Sequence, residues 1–526
     1  MVQLLVVCAT VGGTVGATAR FRTWTSDDVA VQLALRTWRP GSSTLYWPES
    51  TWLVRAPLYL ATDAVIGSGR NALVLQALVL NLVAFVLIWW ALRRVLDAVA
   101  RSATPTASAT PTDPTDPTGR RGWLATVTTC WLVTMSPTFV QGQLAVNGRS
   151  VEIGLVAAVV VWCARRFAPA PDGVAPLRSA IVPGLVLALL AVDDATIVYA
   201  VVVPALALSA VAWLLGRNGT SALVAVAALI GLAGWRIGLR VLRIVGVTSI
   251  PLDVRLARAD EYPTTVSNAV ESLSRLFDAG VLGSAVRDVR FLVVGPQLLA
   301  LALGAVLLIR RRRMLAAIPE VAALVVWAGG LLAAFVLSSH GLTIANIRYV
   351  AYALAALAML IGVALVCAPT RARRAIAVAL TLVTVVHVVD LGRSVRDDSG
   401  APNAAAARVV EALHAVGISR GYGDFWETLG PSYLGGDSLE LVPVGCVEGR
   451  TAARRWFIDD AIDEPRTAGG SAFVYNTRDG LQTCSLDAIV AQFGEPLERR
   501  TVTPEITLLV YGRDIGAEFA APLPPG

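Results

Sequence analysis

The chain alternates between long apolar runs and short polar segments that carry many of its arginines. A helix needs about 20 apolar residues to cross the hydrocarbon core of a bilayer, and runs of this kind recur up to residue 391. The pattern predicts an α-helical polytopic membrane protein with about eleven transmembrane helices. We expect these helices at residues 3–18, 72–92, 123–140, 151–164, 179–192, 195–215, 221–239, 290–309, 315–337, 349–367 and 375–391.

Composition supports this assignment. Hydrophobic residues make up 55% of the 526 positions and charged residues only 16%, a balance that excludes an ordinary soluble protein of this length. The net charge is +6, but the arginines stand in short clusters between the apolar runs. We therefore attribute the basic charge to orientation in the membrane and contact with membrane lipids, and predict no nucleic-acid partner.

The apolar run from 179 to 215 is interrupted by Asp193 and Asp194. It is either one span or a tight hairpin of two. With a hairpin and a cytoplasmic N-terminus, every arginine cluster falls on the inner side, whereas a single span would turn the last two clusters outward. We therefore predict the hairpin, with both aspartates at the outer surface. The inner clusters are then Arg93/Arg94 with Arg120/Arg121, Arg165/Arg166, Arg217, Arg310 to Arg313, and Arg371/Arg373/Arg374.

This topology divides the chain into a transmembrane domain, 1–391, and an extracytoplasmic domain, 392–526. The other outer segments are 19–71, 141–150, 240–289 and 338–348. The Pro/Thr-rich inner loop 101–121 has nothing to bury and is predicted to be a disordered linker. An alternative interpretation makes residues 1–19 a cleaved signal peptide, which also leaves the next loop outside.

The C-terminal part has a different pattern. The segments GISRGYGDF, SLELVPVGC, SAFVYNT and TPEITLLVYG are typical of strands, and AAAARVVEALHAV and TAARRWFIDDAI of helices. They predict a small α/β domain. If it is exported, Cys446 and Cys484 can form a disulfide, and two buried free thiols are the alternative.

Two adjacent acids, Asp27 and Asp28, follow the first predicted span almost at once. They fit two interpretations. Either they cap a helix that begins at Val29, where acids favour a helix N-terminus, or one of them is a general base for an acceptor hydroxyl. A transferase on the outer side would draw its donor from a lipid-linked pool and would need cations for the donor phosphate.

Arg348, followed by Tyr349, begins a predicted span at the outer edge and is the candidate for that phosphate. Three more polar residues are predicted near the outer edge: Arg149, Glu152 and His340. Each either contacts the substrate or is an ordinary polar residue of a loop. The same two interpretations hold for Asp193 and Asp194. The sequence contains no HExxH, CxxC, P-loop or GxSxG pattern in a context that gives it meaning.

Several of these stretches, taken in order, resemble the GT-C superfamily of polytopic glycosyltransferases, in particular the bacterial protein mannosyltransferase and aminoarabinose transferase group (family 39-like). SDDVAVQLALRTWRPGS is similar to the family's acidic first-loop motif, and NGRSVEIGLVAA to the opening of its fourth span. LLAVDDATIVYAVVVPALAL is similar to its hairpin, IRYVAYALAALAML to its late Arg-Tyr helix, and GISRGYGDFWETLGPSYLGG to its post-membrane strand and helix.

The resemblance implies an inverting membrane glycosyltransferase that moves a hexose or pentose from a polyprenyl-phosphate donor to an envelope glycan, lipid or protein. Asp27 would be the general base, with Asp28 orienting it, and Arg348 and Tyr349 would hold the donor phosphate. Arg149, Glu152, Asp193, Asp194 and His340 would line the substrate site. No cofactor is certain, but a divalent metal on the aspartates is compatible with it. The alternatives are a transporter or lipid flippase, and a non-catalytic envelope scaffold.

Overall fold

The computed structural model describes most of the chain. The described residues are 1–21, 26–38, 45–48, 52–67, 70–103, 117–135, 140, 150–166, 177–214, 218–250, 255–277, 291–343, 346–397, 403–453, 469–477 and 484–519. The chain folds into two compact units.

Helices dominate the described residues. In chain order the first nine are α1 (Val2–Phe21), α2 (Ser26–Thr37), α3 (Trp52–Ile66), α4 (Arg70–Ala103), α5 (Pro117–Val133), α6 (Ser150–Arg166), α7 (Ile181–Asp193), α8 (Val203–Leu214) and α9 (Asn218–Ile244). The others are α10 (Tyr262–Leu276), α11 (Phe291–Arg310), α12 (Arg312–Ala316), α13 (Pro319–Val336), α14 (Ile347–Cys367), α15 (Thr370–Asp397), α16 (Ala404–Ala415), α17 (Phe425–Gly435) and α18 (Leu486–Phe493).

The predicted spans fall on helices wherever the structure describes them. Among the described residues, six helices are long and apolar enough to cross a membrane: α1, α4, α9, α13, α14 and α15. Residues Gln297–Arg310 of α11 form a shorter apolar helix. The structure therefore has the character of a multi-pass membrane protein.

The run from 179 to 215 reverses direction, as the predicted hairpin requires. α7 ends at Asp193, and a π-helical turn at Val198–Val202 leads into α8. Gly184 of α7 lies against Ile230 of α9, and Val192 farther along α7 lies against Gly238 farther along α9. Because α7 and α9 thus run parallel, the segment between them must run the opposite way.

Two expectations about these segments need correction. Asp193 and Asp194 are not exposed at a hairpin tip, since only 2% and 1% of their surfaces are accessible. The predicted disordered linker is shorter than 101–121, because Arg101–Ala103 complete α4 and Pro117 begins α5. Arg121 of α5 donates a hydrogen bond of 3.1 Å to Asp97 of α4, which joins the two helices. Residues 104–116 lie outside the described part.

The first compact unit comprises Met1–Arg20, Val74–Gly238 and Val254–Asp397. Within it, α14 packs against α5, α6, α11 and α13. α6 meets α4 at Gly154, where an added Cβ would lie 2.5 Å from the carbonyl oxygen of Ala84. The absence of a side chain lets these two backbones touch, as small residues do between membrane helices.

The second compact unit comprises Phe21–Leu73, Leu239–Asp253 and Asp398–Gly526. Strands β1 (Leu45–Pro48) and β2 (Val247–Ile250) pair in parallel and join two distant segments. α2 packs against α17 through a core that includes Val29, Leu45 and Phe425. This core fixes α2, the helix that carries the predicted catalytic acids.

The other strands of this unit are β3 (Arg420–Asp424), β4 (Glu440–Val447), β5 (Arg450–Ala453), β6 (Ser471–Asn476), β7 (Glu498–Thr501) and β8 (Ile506–Tyr511). Their order in the sheet is β5-β4-β3-β6-β8-β7, with β3 parallel to both β4 and β6. Side chains alternate between the two faces, with Val474 packed beside α16 and Phe473 beside α18. The inner strands β4, β3, β6 and β8 are therefore covered and apolar on both faces, whereas the edge strand β7 is polar and exposed.

The four predicted C-terminal strands are confirmed as β3, β4, β6 and β8, and the first predicted helix as α16. The predicted helix TAARRWFIDDAI is wrong over Thr451–Ala453, which form β5. Glu448 and Gly449, both with positive φ, form a tight turn that pairs β5 with β4. This turn determines the pairing, because a two-residue connection of that kind selects a hairpin. The rest of the segment, residues 454–462, lies outside the described part.

Cys446 and Cys484 form a disulfide. The bond links β4 to the residue before Ser485, whose hydroxyl caps the N-terminus of α18. The question that the sequence left open is thus answered in favour of pairing. A disulfide is the form expected of cysteines in an oxidising compartment.

Candidate functional site

Two predicted substrate residues stand at helix ends in the first unit. Glu152 is in the first turn of α6, and Asp194 follows the last residue of α7. The surface of Glu152 is inaccessible, and Asp194 is 1% exposed. Asp194 leaves the helix with extended backbone, and its Oδ1 accepts a hydrogen bond of 2.8 Å from the backbone N–H of Thr196. This bond caps the helical segment that follows, as aspartates at turns often do.

Tyr352 of α14 joins these two acids. Its hydroxyl donates to Oδ2 of Asp194 at 2.8 Å and is also hydrogen-bonded to Oε2 of Glu152. A phenol has a single hydrogen and can donate only one of these two bonds. The other contact is a full hydrogen bond when one of the two carboxyl groups is protonated and donates to the phenol oxygen. We call Glu152, Asp194 and Tyr352 the buried triad. It is a hydrogen-bonded connection among α6, α7 and α14.

Arg348 and Tyr349 lie in the first turn of α14. Position 348 precedes Tyr352 by four residues, and positions so spaced share one face of a helix. The backbone of the predicted phosphate-binding arginine is therefore one helical turn from the buried triad. The side chains of both residues lie outside the described part of the structure.

His340 stands just before α14, in the 3-10 turn Ser339–Leu342. The Nδ2 of Asn346 donates to the carbonyl oxygen of His340 at 3.0 Å and lies 3.5 Å from its Nδ1. Asn268 of α10 donates to the carbonyl oxygen of Gly341 at 2.8 Å. These contacts hold the histidine at the N-terminal end of α14.

The remaining predicted residues are only partly described. Asp27 and Asp28 fall within α2, which begins at Ser26 rather than at Val29, so both are in its first turn. Nothing of their side chains is described, and Arg149 lies outside the described residues altogether. Asp193 is buried beside Asp194 in the chain. Within the described part of the chain, no group of three or more His, Cys, Asp or Glu residues could hold a metal ion.

A second buried polar network lies in the other unit, in the segment that resembles the post-membrane motif. The hydroxyl of Tyr422 donates to Oδ1 of Asp514 at 2.5 Å, and Nε of Arg420 donates to that hydroxyl at 3.1 Å. Burial, and then the bond to Asp514, raise the pKa of Tyr422. Asp424 accepts from the N–H of Trp426 and caps α17. The Tyr-x-Asp motif therefore has a structural role: one residue is anchored in the sheet, and the other starts a helix.

Three residues that make these contacts in the first unit were not among the predicted site residues: Tyr352, Asn346 and Asn268. Tyr352 gave the clearest signal, because it is four residues after Arg348 in an apolar helix, and a buried tyrosine hydroxyl usually has a hydrogen-bond partner. The two asparagines make loop contacts that spacing along the sequence does not reveal.

The fold of the chain is similar to a solved structure, that of ArnT from Cupriavidus metallidurans bound to undecaprenyl phosphate. The likeness covers 97% of each chain with a TM-score of 0.54, at 11% sequence identity. No protein-family model and no curated protein sequence matches. At this identity the likeness establishes the fold alone.

Proposed function

We propose that this protein is an inverting GT-C glycosyltransferase of the cytoplasmic membrane. It transfers a sugar from a polyprenyl-phosphate donor to an extracytoplasmic acceptor, which is an envelope glycan, lipid or protein. The observation that carries the proposal is the likeness over nearly the whole chain to a fold that, in ArnT, was solved with undecaprenyl phosphate bound. Undecaprenyl phosphate is the carrier part of the polyprenyl-phosphate sugar donor that the resemblance of the sequence implies.

The buried triad supports the proposed topology. With the N-terminus inside, α6 begins, α7 ends and α14 begins on the outer side. Glu152, Asp194 and Tyr352 stand at these three helix ends and are hydrogen-bonded to each other. If residues 179–215 formed a single span, α14 would begin on the inner side. Its first turn would then be separated from the start of α6 by the thickness of the bilayer, which is about 30 Å.

The second compact unit supports it as well. Its three segments, Phe21–Leu73, Leu239–Asp253 and Asp398–Gly526, all come from parts of the chain that the arginine pattern assigns to the outside. Segments on opposite faces of a membrane cannot form one compact unit. The disulfide between Cys446 and Cys484 suits the same side, and we propose that 392–526 form an extracytoplasmic α/β domain.

In the proposed reaction, Asp27 removes the proton from the acceptor hydroxyl while the oxygen attacks the anomeric carbon. The bond from that carbon to the phosphate oxygen breaks, and the polyprenyl phosphate leaves with the electron pair. Arg348 and Tyr349 hold the departing phosphate, and Asp28 orients the base or the sugar. Because the phosphate is already a good leaving group, the protein mainly positions and deprotonates.

The remaining substrate residues are proposed to contact the acceptor and the sugar. Arg149, Glu152, Asp193, Asp194 and His340 belong to segments predicted at the outer edge. Two of them, Glu152 and Asp194, are linked by Tyr352, so a movement of one is transmitted to the other two.

The test is transfer of radiolabelled sugar from a panel of polyprenyl-phosphate sugars into membrane acceptors. We expect Asp27→Asn to abolish transfer at equal expression, because loss of a positioned general base costs about 10²–10⁴-fold. Glu411→Gln, at an exposed position of α16, is the matched control and should keep full transfer.

Transfer retained in Asp27→Asn would assign the base to another acid. No transfer by the wild type from any donor would contradict the proposal. It would favour the transporter, flippase or scaffold alternatives, which do not require an outer general base.

A further inference from the structure

A groove lies between α4 and α6 in the first unit, on the side away from the buried triad along both helices. It is an open groove of about 440 Å³, lined by apolar side chains of both helices, among them Val86, Trp89, Trp90, Ala158 and Trp162. The two helices touch at Gly154 and Ala84, a few residues before the groove.

Two arginines stand at the end of the groove. A second space of about 230 Å³ is lined by Trp90, Trp162, Arg94 and Arg165 and so continues the first. The guanidinium of Arg94 lies 5.5 Å from the centre of the Trp90 ring, and Arg165 lies 3.8 Å from the carboxylate of Glu320. In the described part of the chain, no carboxylate forms an ion pair with Arg94.

We propose that this groove binds an anionic glycerophospholipid, with an acyl chain between α4 and α6 and the phosphate on Arg94 and Arg165. The lining from position 86 to position 94 spans about 12 Å of helix, which suits the upper part of one acyl chain. Tryptophan rings at the boundary between the apolar and charged parts are typical of residues at headgroup depth. Two guanidinium groups offer the planar donors that phosphate oxygens accept.

An anionic phospholipid is the occupant that the charge distribution favours. Arg94 and Arg165 belong to clusters that the positive-inside rule assigns to the cytoplasmic leaflet, where anionic lipids are concentrated and basic pockets between helices bind their headgroups. Snorkelling of single arginines to the membrane surface would explain the charges alone, but it would not explain an apolar groove that leads to both. The proposal does not depend on the glycosyltransferase assignment.

The test is native mass spectrometry of the purified full-length protein with added phosphatidylglycerol or phosphatidylethanolamine. We expect one phosphatidylglycerol to bind about tenfold more tightly than phosphatidylethanolamine. The Arg94→Gln/Arg165→Gln double variant should lose this preference. Arg310→Gln/Arg374→Gln removes the same charge from exposed helix ends elsewhere and should keep it.

A second variant separates shape from charge. Ala158→Leu fills the groove while both arginines remain, and it should also lower phosphatidylglycerol binding at least several-fold. Equal binding of the two lipids by the wild type, or equal loss in the Arg310/Arg374 control, would overturn the proposal in favour of general surface attraction. Displacement of phosphatidylglycerol by equimolar undecaprenyl phosphate would overturn the choice of a glycerophospholipid.

Discussion

At the scale of single residues, the first unit centres on a tyrosine that has two carboxyl partners. Tyr352 is fully buried and hydrogen-bonded to Glu152 and Asp194. When one partner in a buried hydrogen-bonded group is removed, the remaining polar groups stay buried without that hydrogen bond, which costs free energy. The triad should therefore matter both for stability and for the position of the first turn of α14.

We expect Tyr352→Phe to lower the free energy of unfolding by about 1–3 kcal/mol, because both acids lose a partner. If α14 carries the phosphate-binding residues, transfer should fall about tenfold through a higher KM for the lipid donor. Thermal unfolding and initial-rate kinetics measure the two effects. Tyr199→Phe, at an exposed tyrosine, is the control and should change neither. Unchanged stability and kinetics in Tyr352→Phe would contradict the role of the triad.

A single ion pair in the segment before α10 should make stability depend on pH. Arg255 binds both oxygens of Glu261, at 2.6 and 2.7 Å, and this bond together with the one from the backbone N–H of Arg258 lowers the pKa of Glu261 to about 2. Because this pKa is lower in the folded state than in the unfolded chain, the stabilisation is present above about pH 4.5 and is lost as pH falls towards 2. The melting temperatures of the wild type and Glu261→Gln should converge over that range. A difference that stays constant with pH would show that the carboxylate charge is not the cause.

At the scale of elements, packing between helices depends on where side chains are absent. An added Cβ at Gly154 would lie 2.5 Å from the Ala84 carbonyl oxygen, whereas at Gly329 of α13 it would meet nothing within 4 Å. Both glycines are inside helices, so propensity alone would favour alanine at both. Only the neighbouring helix distinguishes them.

Gly154→Ala should therefore lower the free energy of unfolding by about 1–3 kcal/mol, as overpacking does, because the backbone of α4 must move. Gly329→Ala should be neutral or stabilising by about 0.5–1 kcal/mol. Thermal unfolding of the two variants in the same detergent makes the comparison. Equal effects of the two substitutions would show that α4 and α6 do not meet at Gly154.

At the scale of the whole molecule, the arginine pattern predicts which parts face outward. The N-terminus and the Arg310 to Arg313 cluster are predicted inside, and the C-terminal α/β region outside. The segments grouped in the second compact unit agree with this assignment, since all of them are predicted on one side. Orientation can be tested without knowing the substrate.

We expect a cysteine at Glu411 of α16 to react with a membrane-impermeant maleimide in intact cells, and a cysteine at Arg312 to react only after lysis. Both positions are exposed, so access to the reagent differs only by the membrane. The unsubstituted protein provides the background from its own thiols. Labelling of the Arg312→Cys variant in intact cells would contradict the predicted topology.

The sequence by itself predicted the apolar helices and the strands β3, β4, β6 and β8, because hydropathy and its period are local properties. It did not predict β1, β2, β5 and β7, or the helices α3, α10 and α18. The interruption at Asp193 and Asp194 also predicted the reversal between α7 and α9. It did not predict that these acids are buried, because burial depends on helices distant in the sequence. The triad is an example, since Tyr352 is 200 residues from Glu152 and 158 from Asp194.

The turn at Glu448 and Gly449 makes Thr451–Ala453 a strand, a local signal that the helix-favouring composition of the segment outweighed in the prediction. Tertiary structure alone decided two other features. Cys446 and Cys484 form a disulfide because the sheet brings β4 next to the start of α18. The groove is lined by side chains of α4 and α6, two helices that meet at Ala84 and Gly154. Each depends on which distant segments meet, and a local pattern does not encode that.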